Sequence, residues 1–253
     1  MGINYWNKVA VNYESEIFDV YATNKGAVLQ KYLKKHTNKN HSATDFGCGV
    51  GKAFSILSRG FKNVLALDIS QVCIDASALV KKTNSYSNIT LKRMDLSRKN
   101  LQLPACDFAV CVNVVMLPAL EKNKAIIANI YKTLKPGGSA VFVVPSLESG
   151  IFATQRLIDW YAKDKTKPEE IPNSDFIHIP KSKLEMVQGL IRIDKEPTKH
   201  YLHVELLSVF GSAGFQVTAI EKMEYPWTTE FQAPPAWMQA PYPWDWMIEC
   251  KKA

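Results

Sequence analysis

The sequence predicts an α/β protein built on a mostly parallel sheet with helices on both faces. Three observations lead there. Short apolar stretches alternate with helical patterns, a glycine-spaced turn closes the first of those stretches, and an acid or amide stands where each of the next three ends. Ligands of such sheets sit beyond the carboxyl ends of the strands, which is where Asp45, Asp68, Asp95 and Asn113 fall.

The elements follow in chain order. Residues 5 to 36 read as helical, and strands are expected near 42–46, 63–67, 88–93, 107–112 and 139–145, with helices between them. The first strand runs into Thr44-Asp45-Phe46-Gly47-Cys48-Gly49-Val50-Gly51-Lys52, which reads D-x-G-x-G-x-G. Glycines at alternate positions let the backbone turn sharply and lie close to a ligand. A dinucleotide loop, G-x-G-x-x-G, needs a glycine where Lys52 stands. The second strand ends in Val64-Leu65-Ala66-Leu67-Asp68-Ile69-Ser70, the third in Leu91-Lys92-Arg93-Met94-Asp95-Leu96, and the fourth, Cys106 to Val112, in Asn113. Asp68 and Asp95 could each simply cap a following helix, a reading stronger for Asp95. The next helix is the clearest, because Ile126, Ile127, Ile130, Tyr131 and Leu134 recur at helical spacing and give it one apolar face. Leu134-Lys135-Pro136-Gly137-Gly138 then ends it, since proline cannot continue a helix and glycine supplies its cap.

Charge chemistry narrows the ligand. A carboxylate at Asp45, aimed into the turn, would oppose a pyrophosphate but attract a molecule carrying an amino group and a sulfonium, as S-adenosylmethionine does. In this combination and order, over roughly residues 40 to 145, the motifs resemble those of the class I S-adenosylmethionine-dependent methyltransferases, small-molecule type. That resemblance implies a Rossmann-like, seven-stranded, mostly parallel sheet with the last strand antiparallel. It implies a cofactor site in which Asp45, Gly47, Cys48, Gly49 and Gly51 hold the methionine part, Asp68 the ribose hydroxyls and Ile69 the adenine face. Asp95 and Leu96 would stand near the adenine amino group, and Asn113 would help bind the methionine end. S-adenosylhomocysteine would be the product. The segment Tyr5 to Tyr13 resembles the W-x-x-x-A-x-x-Y opening of the quinone-biosynthesis methyltransferase group, which implies that Tyr13 either contacts the methionine end or closes a helix on the core.

Three regions outside the core could shape an acceptor site within a single domain spanning 1–253: an N-terminal helical cap, 1–40; a lid-like insertion, 149–200, that interrupts the alternation and carries His178; and a Trp/Pro-rich loop, 225–246, between the last two strands. The loop holds Trp227 and could wall a lipophilic pocket or form a homodimer contact. Between the insertion and the sixth strand, His200 to Leu206 reads as a helix ended by Gly214, with Tyr201 placed to face the pocket. His178, Tyr201 and Trp227 are the substrate candidates, and no catalytic base is named.

Composition excludes other classes. A chain of 253 residues, 47% hydrophobic, can bury a substantial core, and no apolar run approaches the ~20 residues that cross a bilayer. A cytoplasmic protein is expected. Trp6 occupies the position where a myristoylation signal starting at Gly2 wants Ser or Thr. The five cysteines, at 48, 73, 106, 111 and 250, show neither paired metal spacing nor an even count for disulfides, so no metal is expected. The net charge of +7 is spread over several elements among acids, a pattern of solvated faces more than of a nucleic-acid groove. Asn113-Val114-Val115-Met116 also stands where methylases of exocyclic amines often carry N-P-P-Y. The expected partner is a small-molecule acceptor, with RNA (tRNA) or protein methylation and a catalytically silent binding protein as the alternatives.

Overall fold

The computed structural model describes residues 19–99, 101–176, 180, 182–193 and 196–253. In chain order its elements are α1 (Val20–Thr23), α2 (Val28–Lys35), β1 (Asn38–Phe46), α3 (Phe54–Gly60), β2 (Phe61–Asp68), α4 (Gln71–Thr83), β3 (Ile89–Arg93), β4 (Cys106–Val112), α5 (Leu120–Thr133), β5 (Leu134–Pro145), α6 (Leu147–Lys163), α7 (Lys183–Gln188), β6 (Leu190–Ile193), β7 (Glu196–Lys199), α8 (His203–Ser212), β8 (Phe215–Glu224) and β9 (Trp244–Lys252). Seven strands form one sheet in the order β3-β2-β1-β4-β5-β9-β8, and β6 pairs with β7 in a separate hairpin. The first five strands are parallel to one another, while β9 runs antiparallel to both β5 and β8. The expected sheet, with its antiparallel last strand, is thus the observed one.

Strand alternation divides the core between the two faces of the sheet. Phe46, Cys111, Phe142 and Ile248 pack on one face under α5 and α8, and Ala43, Phe108, Val141 and Met247 on the other under α2, α3 and α4. Ile126, Ile127 and Ile130, the predicted apolar face of α5, are buried in the first cluster. All five cysteines are buried free thiols.

Two local expectations change. Helix does not run unbroken to residue 36, because Gly26 (φ 70°) and Ala27 (φ 50°) take left-handed conformations and separate α1 from α2. The Pro136-Gly137-Gly138 turn lies inside the span of β5, where the pairing with β4 jumps from Leu134 to Ser139 and Gly137 adopts φ 74°. The insertion holds a hairpin that the sequence pattern did not reveal. That hairpin is tied to the carboxyl edge of the main sheet, since the Lys199 amide donates to the Met116 carbonyl at 2.9 Å and Tyr201 bridges Ser146.

Candidate active site

A cavity of about 750 Å³ opens beyond the carboxyl ends of β1, β2, β3 and β4, within the range of small-molecule sites. Its wall includes Gly47, Cys48 and Gly49 from the glycine turn, Asp68 and Ile69 after β2, Asp95 and Leu96 after β3, and Asn113 after β4. Eight of the expected cofactor residues therefore share one cavity although they span 67 positions of sequence.

The turn needs its glycines. Gly47 has φ 88° and a Cβ there would overlap the Val114 side chain, while a Cβ at Gly51 (φ 89°) would press on the Phe54 ring. The Gly47 and Cys48 amides both donate to the Leu67 carbonyl at 2.8 Å, which fastens the turn to the end of β2. Asp68 strengthens that link: its Oδ2 accepts the Gly49 amide and its Oδ1 the Ser70 amide, each at 2.9 Å. Burial pushes the Asp68 carboxyl above the ordinary range, against the pull of these amides and that of Ile69. Asp95 accepts the Ser97 amide at 2.9 Å and its hydroxyl at 2.7 Å in a local turn; no helix follows it before β4 among the described residues, so it is not the helix cap weighed for it, and it lines the cavity. Asn113 takes φ 54°, a strained conformation that asparagine tolerates better than most residues, and its Oδ1 is buried without a hydrogen-bond partner.

Asp45 stands elsewhere than expected. It is 2% exposed at the end of β1, in register with Ala66 and Val110, and does not belong to the cavity wall. Its Oδ2 has no hydrogen-bond partner, and burial, with the Asp68 charge adding to it, pushes the carboxyl up to about 7. Burial under the turn, rather than exposure to a ligand, is what the strand position imposes. Gly51 likewise shapes the turn from outside the cavity.

The substrate candidates divide differently. Tyr13 and His178 lie outside the described residues. Tyr201 is buried in the core cluster beneath α5 and α8 and does not face the cavity. Trp227 is also absent from the cavity wall: it packs with Ala153 of α6 and Met238, stacks on Phe231 at 5.7 Å, and donates its indole N–H to the Gln239 carbonyl. Both were expected near substrate because of their place in the chain. Each instead buries a large aromatic surface in packing.

Residues that the motifs did not reveal complete the wall. Asp19, Val20 and Tyr21 contribute from α1, together with Lys52, Arg98 and Lys122. Asp19 caps α1 through the Tyr21 and Ala22 amides and forms a 2.9 Å ion pair with Lys52. An Asp opening a helix was the available signal, but the broken helix hid it.

The unpartnered Asn113 Oδ1 and the glycine cradle fit a ligand that carries its own donors and needs a close backbone approach. Residues 43–138 match the family model described as "Methyltransferase domain". Over those residues the chain is similar to methyltransferase domains. It is 27% identical over 158 residues to EEF1A lysine methyltransferase 2 of Mus musculus, covering 58% of this chain and 62% of that protein. The chain thus spans less than two thirds of that relative's length. Magnesium protoporphyrin IX methyltransferase of Synechocystis, solved with S-adenosylhomocysteine bound, superposes with a TM-score of 0.60 at 12% identity, over 99% of this chain and 98% of that one. A structure of the complex between the Haloferax volcanii Trm112 methyltransferase activator and a methyltransferase gives 0.63 at 14% identity, over 97% and 96%. These likenesses are of fold.

Proposed function

We propose that this protein moves the methyl group of S-adenosylmethionine to a small-molecule acceptor. The observation that carries the reading is the joining of the glycine turn to Asp68 in the wall of one cavity, with the Gly49 amide on Asp68. The sulfonium supplies an activated methyl, and the protein's contribution is to hold donor and acceptor close and aligned away from water. A small acceptor is supported by what stands beside the carboxyl edge of the sheet. There α6 and the 225–246 loop form an aromatic layer, with Trp227 and Phe152 at 5.7 Å and Trp244 and Phe152 at 6.2 Å. Because these rings pack on one another, the acceptor is left the space that the cavity of about 750 Å³ keeps beside the cofactor, a volume that suits a small molecule.

Protein methylation is the second reading, supported by the similarity to EEF1A lysine methyltransferase 2. The test is transfer from radiolabelled S-adenosylmethionine to phenols, quinones, amines and fatty acids, with elongation factor 1A and transfer RNA in parallel. Label in a small molecule supports the proposal, and label confined to the protein or the RNA overturns its acceptor class. Binding of S-adenosylhomocysteine without transfer to any of them would favour a catalytically silent binding protein, and no binding would sink the cofactor reading.

A further inference from the structure

We propose that Arg93, Arg98 and Lys122 form an anion subsite in the wall of the cavity, and that the methyl acceptor is accordingly a small molecule bearing a phosphate or carboxylate group. The inference rests on the methyltransferase reading above and names the chemistry of its acceptor.

The charges of the wall do not cancel. Lys52, Arg93, Arg98 and Lys122 stand there against Asp19, Asp68 and Asp95. Asp19 pairs with Lys52 at 2.9 Å, Asp68 accepts the Gly49 and Ser70 amides, and Asp95 turns its Oδ1 to Ser97. Arg93 donates its Nε to the Ile69 carbonyl at 3.1 Å and forms no ion pair among the described residues. Neither Arg98 nor Lys122 has a side-chain hydrogen bond or ion pair among the described residues. Glu121, the acid beside Lys122, pairs with Lys124 at 2.8 Å instead.

The fold holds these groups around one opening. The Asn129 side-chain amide donates to the Leu96 and Arg98 carbonyls at 2.8 and 2.9 Å, which ties the segment after β3 to α5. Lys122, Ile126 and Asn129 recur at i, i+4 and i+7 and so share one face of α5, and both Lys122 and Ile126 line the cavity. The Ile69 carbonyl draws Arg93 toward the end of β2 on the other side. All three cations are solvent-exposed, so they rim the cavity rather than lie on its floor.

The cofactor offers them no counterpart. S-adenosylmethionine carries one carboxylate against an ammonium and a sulfonium, and the reading places that carboxylate with the methionine end, at the glycine turn and Asn113. Its adenine, set beside Ile69 and Leu96, is neutral. A net positive ligand gains nothing from a net positive wall, whereas an anion beside it is attracted by both. Guanidinium forks grip phosphate or carboxylate through paired N–H bonds, and a lysine adds a point charge. A charged cleft also raises the local concentration of ligands of opposite sign.

Inorganic pyrophosphate and succinate are the probes, titrated calorimetrically at low ionic strength into protein saturated with S-adenosylhomocysteine. At least one should bind, once per chain, and the tighter of the two tells phosphate from carboxylate. Arg98→Gln combined with Lys122→Gln should weaken that binding about tenfold or more. Lys99→Gln combined with Lys124→Gln removes the same charge at neighbouring positions outside the wall, and should leave it within about twofold. The same change in both double variants, or binding of neither probe, overturns the subsite. Binding only to protein free of S-adenosylhomocysteine, or loss of S-adenosylhomocysteine itself from the Arg98 and Lys122 variant, also overturns it, because the cations would then hold the cofactor's own carboxylate. In the transfer screen, label should enter fatty acids and carboxylated or phosphorylated phenols ahead of neutral phenols and amines, and label confined to neutral acceptors overturns the acceptor class. Failure of the wild type to bind S-adenosylhomocysteine instead overturns the function on which the subsite rests.

Discussion

The Gly49 amide donates to Asp68 Oδ2 at 2.9 Å, so the turn after β1 and the acid after β2 form one rigid unit. A ligand held by Asp68 is thereby registered against the glycine backbone.

Asp68→Ala removes both the proposed ribose acceptor and this brace. Hydrogen bonds to a charged group contribute about 1.5–3 kcal/mol, so the dissociation constant for S-adenosylhomocysteine should rise about 10- to 150-fold in calorimetric titration. An unchanged constant would count against the ribose assignment.

Gly47→Ala should lower both stability and cofactor affinity. The new Cβ sits at φ 88° and overlaps Val114. Strained backbone of this kind costs on the order of 1–3 kcal/mol, visible as a lower melting temperature. Val114→Ala added to it should recover only part of the loss, because shortening Val114 removes the overlap and leaves the φ strain. Full recovery would show that the overlap alone mattered.

What the sequence made legible was local. Asp68, Asp95 and the glycines announce themselves because strand ends and turns are short-range features with fixed residue demands. The place of Asp45 was not legible, since its side chain's direction depends on how β1 sits between β2 and β4. Trp227 and Tyr201 misled for a related reason: an aromatic near a cavity in sequence can serve packing instead, and only the path of α6 and α8 decides.

Asp45 should make the ligand-free protein less stable as pH rises. Its folded pKa, about 7, lies above the ordinary 3.8, so between these values the folded state binds more protons than the unfolded one and stability falls with increasing pH. Asp45→Asn should remove this contribution, up to about 4 kcal/mol at pH 8. Chemical denaturation at pH 5 and pH 8 reads it: the variant's advantage should be larger at pH 8, and an equal difference at both would refute the coupling.

Glu249 acts in the opposite sense. It accepts from Lys35, His36 and Thr218, each at 2.7 Å, and these contacts hold its carboxyl below the ordinary value despite burial. A depressed folded pKa stabilises above the unfolded value and is lost as pH falls through the folded one. Glu249→Gln should therefore cost about 1–2 kcal/mol at pH 7, and the difference from wild type should shrink below pH 4. A difference independent of pH would assign the cost to packing alone.

Trp227→Ala separates packing from ligand contact. Arg156 lies between the Trp227 and Trp237 rings, 5.9 and 5.0 Å from their centroids, and Trp227 is 2% exposed. Truncating a buried tryptophan leaves a large cavity and costs about 3–5 kcal/mol. Because the ring does not line the cofactor cavity, the variant, assayed well below its lowered melting temperature, should bind S-adenosylhomocysteine within about twofold of the wild type, inside the ordinary spread for independent sites. A tenfold loss of affinity in a protein still folded by circular dichroism would place Trp227 in the binding machinery after all. The loop would then couple to the glycine turn through the Lys25 and Tyr242 contact, and Lys25→Ala should reproduce the loss without the destabilisation.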